Sequence, residues 1–272
     1  MILLWIPVLI FAYIKMIDPG EKRKHLVLNV KYYAHRGFHG EEGIPENSMA
    51  AFKKAKGSGY GIELDVQLTK DGEVVVLHDE KIDRVSNGRG YARDYTLAEL
   101  KKFRFSKTHP EYKDAVIPTL KEVLAYVKTT SMTVNIELKT GVFFYEGVAE
   151  KTLALVKEAG MEERVIYSSF NHYTIRDIKK SDKKAKTGLL YADGYIDMPI
   201  YGAALGVDAL HPALYNLQYP NFLEDCRTKQ LKVHVWTVNK EKYMKKFCEL
   251  GVDALITNYP DKAGKIRDQL QK

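Results

Sequence analysis

The sequence predicts an α/β protein: a (β/α)8 TIM barrel with an extra β-hairpin at its mouth, preceded by an N-terminal apolar helix. Three observations predict it. From residue 32 onward, eight short apolar runs alternate with stretches long enough to hold a helix, the pattern of a parallel sheet with helical crossovers. One further strand-like run follows its predecessor after only four residues, too few for such a crossover. The first seventeen residues hold a single charge, Lys15. The length, 272 residues, suits one barrel of about 250 residues plus a short leading segment.

That leading segment comes first in order. Residues 1–14 carry no charge, and Met16 and Ile17 extend the apolar run beyond Lys15. As a helix, residues 1–17 would span about 26 Å, slightly less than a bilayer core of about 30 Å. A snorkelling Lys15 and an interfacial Trp5 would close the gap. A cleavable signal fits poorly, because there is no basic n-region and no small-residue cleavage site. The expectation is a membrane-associated chain, attached by residues 1–17. Residues 1–24 then form the anchor and its basic flank, Glu21-Lys22-Arg23-Lys24, and residues 25–272 the barrel. The basic flank favours the cytoplasmic side for the barrel. The competing reading is an apolar helix packed on the barrel floor.

The eight strand-like runs are 32–37, 61–67, 133–139, 165–170, 187–192, 208–212, 233–239 and 254–260. Leu120, Val123, Leu124 and Val127 form an amphipathic helical stripe, as do Tyr243, Met244, Phe247 and Cys248. Thr119 with Glu122, and Thr96 with Glu99, read as capping boxes. A doubly wound open sheet is the alternative. The extra run, 73–78, follows an Asp71-Gly72 turn signal and is expected to pair back as a hairpin. With residue 68 opposite 73, Glu63 would face His78. Residues 80–118 are the longest excursion and too short for a separate domain. Cys226 and Cys248 match no zinc spacing or disulfide framework and read as reduced, part-buried side chains.

In such a barrel the chemistry sits where strands end. Glu63 and Asp65 share one strand face, as do Glu137 and Lys139. Three inward carboxylates repel one another unless protonated, paired or metallated. An all-oxygen set selects one hard divalent cation, Mg2+ or Ca2+. The alternative is structural ion pairing, Glu137 with Lys139 and Asp65 with Arg36. His35 and His78 flank the same region and titrate where acid–base catalysis needs them to. Arg36 offers a planar fork for phosphate oxygens, and Lys139 a second positive point. The remaining histidines read as structural or exposed, with His211, at a strand end, the one to watch. The net charge of +7 suits an anionic substrate or an anionic surface. No nucleic-acid-binding motif accompanies it.

The ordered set of motifs resembles the glycerophosphodiester phosphodiesterase family. The matching residues are His35-Arg36-Gly37, Pro45-Glu46-Asn47-Ser48, Glu63-Leu64-Asp65-Val66 and the Asp71-Gly72 turn leading to His78-Asp79. Ile117-Pro118-Thr119-Leu120, Asn135-Ile136-Glu137-Leu138-Lys139, Ser168-Ser169-Phe170, Trp236-Thr237-Val238-Asn239 and Ile256-Thr257-Asn258-Tyr259-Pro260-Asp261 continue it. Ser48 stands where Thr is common. The resemblance implies metal-dependent hydrolysis of glycerophosphodiesters to an alcohol and glycerol 3-phosphate. It implies His35 and His78 as the acid–base pair, and Glu63, Asp65 and Glu137 as metal ligands. Arg36 and Lys139 would hold the phosphate, Glu46 would support Arg36 or touch the site, and Trp236 would line the glycerol pocket. In the related enzymes the substrate's own neighbouring hydroxyl attacks, and water then opens the cyclic phosphate. The family's larger insertion domain is absent or reduced. Two other readings compete. One is a lysophospholipase D-type enzyme acting on lysophospholipids, with Phe143, Phe144 and Tyr145 as an apolar ramp. The other is a membrane-tethered binding module with a dead site, which the complete constellation disfavours.

Overall fold

The structure is a computed structural model, and it describes residues 30–40, 43–56 and 61–271. Its strands are β1 (Lys31–Ala34), β2 (Gly61–Leu68), β3 (Val74–Val76), β4 (Val134–Leu138) and β5 (Val165–Ser169), followed by β6 (Thr187–Tyr191), β7 (Ala209–Pro212), β8 (Lys232–Val235) and β9 (Ala254–Thr257). All except β3 run parallel. β1 pairs with β2 on one side and β9 on the other, which closes the ring into an eight-stranded barrel. The closure excludes the open doubly wound sheet. β3 pairs antiparallel with β2 and stands outside the ring.

Helices fill the crossovers: α1 (Met49–Lys54), α2 (Leu97–Leu100), α3 (Leu120–Lys128), α4 (Val148–Ala159), α5 (His172–Ser181), α6 (Met198–Leu205), α7 (Phe222–Thr228), α8 (Glu241–Leu250) and α9 (Pro260–Leu270). They form because one stripe of each is apolar and has the outside of the barrel to bury against. On α3, Leu120, Val123, Leu124 and Val127 are all buried. Its start is fixed by a capping box. The Glu122 amide donates to the Thr119 hydroxyl at 3.1 Å, and the Thr119 amide to the Glu122 carboxylate at 2.8 Å. Thr96 and Glu99 do the same for α2. Met244, Phe247 and Cys248 are the buried stripe of α8. Cys226 and Cys248 are free thiols, fully rather than partly buried.

The hairpin forms one residue out of the expected register. Leu68 pairs with Val74, not with residue 73. The reason is the turn. The Thr69 amide donates to the Glu73 carbonyl at 3.0 Å, so three residues, 70–72, form the loop, and Gly72 takes φ +78° where a side chain would be strained. Glu63 therefore does not face His78 across the ladder. Residues 80–118 form no separate domain. They pack on the hairpin through a small apolar cluster that includes Val75, Leu77, Ile82, Leu100, Phe105 and Ile117.

The expectation of a membrane-associated chain, held by a single N-terminal segment with the barrel on the cytoplasmic side, is corrected. Among the described residues no helix is long and apolar enough to cross a membrane. The longest, α4, has 12 residues, about 18 Å of helix, with one face buried on the barrel. Residues 1–29, with the apolar helix, the anchor and the start of the 25–272 domain, lie outside the described residues.

Candidate active site

The C-terminal strand ends converge on one cavity of about 90 Å³, lined by His35, Arg36, Glu63, His78, Glu137 and Trp236 together with Asn135, Phe170, Leu190, Thr237 and Ile256. Two larger cavities, of about 480 and 510 Å³, lie elsewhere, one among the loops after β6 and β7 and one at the barrel floor. Neither gathers a carboxylate cluster, so chemistry rather than size marks the site.

Register aligns the carboxylates. β2 and β4 pair with Glu63 beside Asn135 and Asp65 beside Glu137, so the alternation of side chains points all four into the barrel mouth. One carboxylate oxygen from each of Glu63, Asp65 and Glu137 lies within 4.8 Å of the others, and all three residues are buried. Burial, reinforced by the charges of Asp65 and Glu137, pushes Glu63 well above the usual carboxylate range. Burial also raises Glu137, against the opposing pull of Lys139. Asp65 goes the other way. Its burial penalty is outweighed by Lys139, His78, Arg36 and a hydrogen bond from Asn47, and it is held low.

Both structural ion pairs anticipated as an alternative are present in some form. Lys139 Nζ lies 2.9 Å from Glu137 Oε1 and 3.9 Å from Asp65 Oδ1, and Arg36 Nε lies 3.7 Å from Asp65 Oδ2. They do not exhaust the carboxylates. Asp65 Oδ1 is buried without a hydrogen-bond partner, and Glu63 accepts from one backbone amide, that of Arg36, at 2.8 Å. One buried carboxylate oxygen without a partner, set with oxygens of two further carboxylates within 4.8 Å, a spacing of about two metal–oxygen bond lengths, with no nitrogen or sulfur donor among them, fits a hard divalent cation.

The segment after β1 is bent for this purpose. Arg36 takes φ +53° and Gly37 φ +81°. A side chain at Gly37 would also collide with Ala51 of α1, its Cβ meeting that of Ala51 at 2.7 Å. Asn47, at φ +51°, braces the bend, accepting nothing from Arg36 but donating its backbone amide to the Arg36 carbonyl at 2.8 Å and its side chain to Asp65 Oδ2 at 2.8 Å.

The two histidines have contrasting partners. His35 Nδ1 lies 2.7 Å from Asn258 Oδ1 after β9. With that oxygen accepting, Nδ1 carries the proton and Nε2 keeps its lone pair. Burial, aided by the Arg36 cation, pushes His35 down to about 4. His78 Nδ1 instead lies 2.7 Å from the Asp79 carboxylate. The segment carrying it is held by Gln67, which is fully buried on β2 and whose Nε2 donates to the carbonyls of Leu77, His78 and Asp79 at 2.9, 3.2 and 2.8 Å. Glu46 accepts from Arg36 Nη1 at 2.9 Å. Trp236 meets Phe170 edge to face at 5.3 Å and donates its indole N–H to the His211 carbonyl at 2.7 Å.

All nine residues singled out from the sequence thus lie on or against one cavity. Several others that line the cavity or bond to this set were given no role: Asn47, Asp79, Arg84, Asn135 and Asn258. All but Arg84 had a findable signal, since each lies within a quoted motif. The apolar ramp is corrected in part. Phe144 is exposed, but Tyr145 is buried with its hydroxyl donating to Gln67 Oε1 at 2.9 Å. Phe143 packs edge-on against Tyr91 under the Arg93 guanidinium. Both are structural. His172, at the start of α5, donates from Nε2 to the Leu190 carbonyl at 2.9 Å, and His211 and His234 are buried in the barrel.

Known proteins resemble this chain in sequence and fold. The model of the glycerophosphoryl diester phosphodiesterase family matches residues 35–262. A glycerophosphodiester phosphodiesterase of Caldanaerobacter subterraneus subsp. tengcongensis is 43% identical over 230 residues, 84% of this chain and 93% of that one. One of Bacillus altitudinis is 38% identical over 245 residues, 89% of this chain and 99% of that one. An Oleispira antarctica phosphodiesterase, solved in complex with the product sn-glycerol-3-phosphate, superposes with a TM-score of 0.77 at 28% identity, covering 89% of this chain and 98% of that one.

Proposed function

The chain belongs to the glycerophosphoryl diester phosphodiesterase family and is a phosphoric diester hydrolase, and from that membership we propose that it releases glycerol 3-phosphate from small glycerophosphodiesters by histidine acid–base catalysis assisted by one divalent cation. The observation that carries the reading is the pair of imidazoles with opposite surroundings at one carboxylate-lined cavity. His35, kept neutral with Nε2 free, takes the proton of the attacking glycerol hydroxyl. His78, its Nδ1 held against the Asp79 carboxylate, hands a proton to the leaving alcohol oxygen. A cyclic phosphate forms as the P–O bond to the alcohol breaks. Water then opens it with the two proton transfers reversed.

Arg36 and Lys139 bind the phosphate oxygens, Glu46 braces Arg36, and Trp236 with Phe170 walls the glycerol side. Glu63, Asp65 and Glu137 would hold one Mg2+ or Ca2+, whose charge offsets that developing on the phosphoryl oxygens. That the related Oleispira phosphodiesterase was solved with sn-glycerol-3-phosphate supports glycerol 3-phosphate as product here. With Tyr145 and Phe143 engaged in packing, a long-chain ramp has little left to form it, and the short diesters are the favoured substrates.

The test is release of glycerol 3-phosphate from glycerophosphocholine and glycerophosphoethanolamine, each with EDTA, Mg2+ or Ca2+. Release that needs one of the two ions is expected. Full release in EDTA would remove the metal from the proposal, and release of a lysophosphatidic acid from a lysophospholipid, with both short diesters untouched, would replace the substrate.

A further inference from the structure

Arg84 lies outside the cavity, its side chain 43% exposed, on a loop whose sequence reads as ordinary solvated surface. Its guanidinium nevertheless grips two carboxylates at once. Nε and Nη2 donate to Asp79 at 2.6 and 3.0 Å, and Nη1 and Nη2 donate to Glu46 at 2.8 and 2.7 Å. Each carboxylate in turn holds a group of the site. Glu46 accepts from Arg36, and Asp79 meets His78 Nδ1. A continuous run of charge-assisted hydrogen bonds, Arg36–Glu46–Arg84–Asp79–His78, therefore joins the bend after β1 to the segment after β3.

We propose that Arg84 is a positioning residue that fixes the phosphate-binding Arg36 and the proton-donating His78 relative to one another. The inference rests on the proton-donor reading of His78. An exposed ion pair taken alone contributes little. Here the geometry is a double fork within a network, and a planar guanidinium can satisfy both carboxylates together where an ammonium cannot. Glu46 and Asp79 share the Nη2 nitrogen, so without it two carboxylates face each other with no cation between them. The displacement this causes falls on Arg36 and on His78, one at each end, in a site where small misplacement costs rate.

The chemistry of the leaving group separates this role from a merely structural one. Glycerophosphoethanolamine expels an alkoxide that needs a proton, whereas the glycerophosphodiester of nitrophenol expels a phenolate that does not. Arg84→Gln and Arg84→Lys are compared with wild type and with His78→Ala on both substrates, in the presence of the activating cation. The quantity compared is the rate of alcohol release in a single turnover, because the later opening of the cyclic phosphate, in which His78 takes a proton from water, is common to both substrates. For both Arg84 variants the expected result is a loss in that rate on the order of 10–100-fold on the ethanolamine diester, little loss on the nitrophenyl diester, and a KM rise common to both as Arg36 loses its brace. An equal loss in the rate of alcohol release on the two substrates, or none on either, overturns the proposal. The control tells the two failures apart. If His78→Ala shows the split and the Arg84 variants do not, the positioning role alone falls. If His78→Ala loses equally on both substrates, the proton-donor reading falls and takes this inference with it.

Discussion

Glu63 is where the proposed cation site is most directly tested. The carboxyl is buried, accepts from the Arg36 amide at 2.8 Å, and is driven towards its neutral form by burial and by Asp65 and Glu137. A bound divalent ion would reverse that drive, so affinity for it falls when one ligand is neutralised. Glu63→Gln keeps the shape and removes the charge. The expected outcome is weakened Mg2+ or Ca2+ binding by calorimetry together with loss of turnover; undiminished affinity would take Glu63 out of the ligand set. The histidines give a second prediction at this scale. His35→Ala and His78→Ala should each lower kcat by roughly 10²–10⁴-fold with circular dichroism unchanged. Near-normal turnover in either variant would end its assigned role. These residue types were legible in the sequence because carboxylates and imidazoles at strand ends have few other uses. Arg84 was not, because its partner Glu46 lies 38 residues away and nothing local announces the contact.

Among the elements, the hairpin of β2 and β3 does the most to shape the site. His78 lies past the end of β3, so no ladder hydrogen bond fixes it. Gln67 substitutes for the ladder, with one amide nitrogen shared among three successive carbonyls and its oxygen accepting from Tyr145. Gln67→Met should leave these buried groups unpaired at a cost of about 1–3 kcal/mol. It should also lower kcat by loosening His78. Urea midpoints and turnover together check this; a stability loss with kcat untouched would mean that the segment is held by other contacts. Sequence patterns located every barrel strand, since strands buried on both faces read as short apolar runs between turn signals. The runs were overread at their C-terminal ends. Residues 236–239 and 258–260 lie beyond the regular strands β8 and β9, where Trp236, Asn239 and Asn258 turn their side chains to hydrogen bonds at the mouth. The one-residue slip in the hairpin register escaped for a related reason. Asp71-Gly72 announces a turn but does not say whether two or three residues form it.

The barrel as a whole carries a charge-sensitive feature in its buried interior. His211 on β7 and His234 on β8 point inward, their ring centroids 4.6 Å apart, with Tyr33 of β1 against His234 and Gly188 of β6 directly beneath His211. Any side chain at Gly188 would strike the His211 ring. Neither ring nitrogen of His211, nor Nδ1 of His234, has a hydrogen-bond partner. Burial pushes His211 down to about 3, and burial with His211, Lys232 and Lys31 nearby pushes His234 well down also. In the unfolded chain both rings titrate near 6.5, so below that pH the unfolded state binds protons that the barrel refuses. The stabilisation is complete above about pH 6.5 and is lost progressively as pH falls towards 3, at up to about 1.4 kcal/mol per pH unit for each ring. His211→Leu removes one of the two titrating rings. Comparing the urea midpoints of wild type and His211→Leu at pH 7 and pH 5 cancels the carboxylates common to both. The wild type should lose more stability between the two pH values than the variant does. Parallel losses would mean that the buried pair takes up a proton within the fold, and that the acid lability of the barrel arises at its mouth instead.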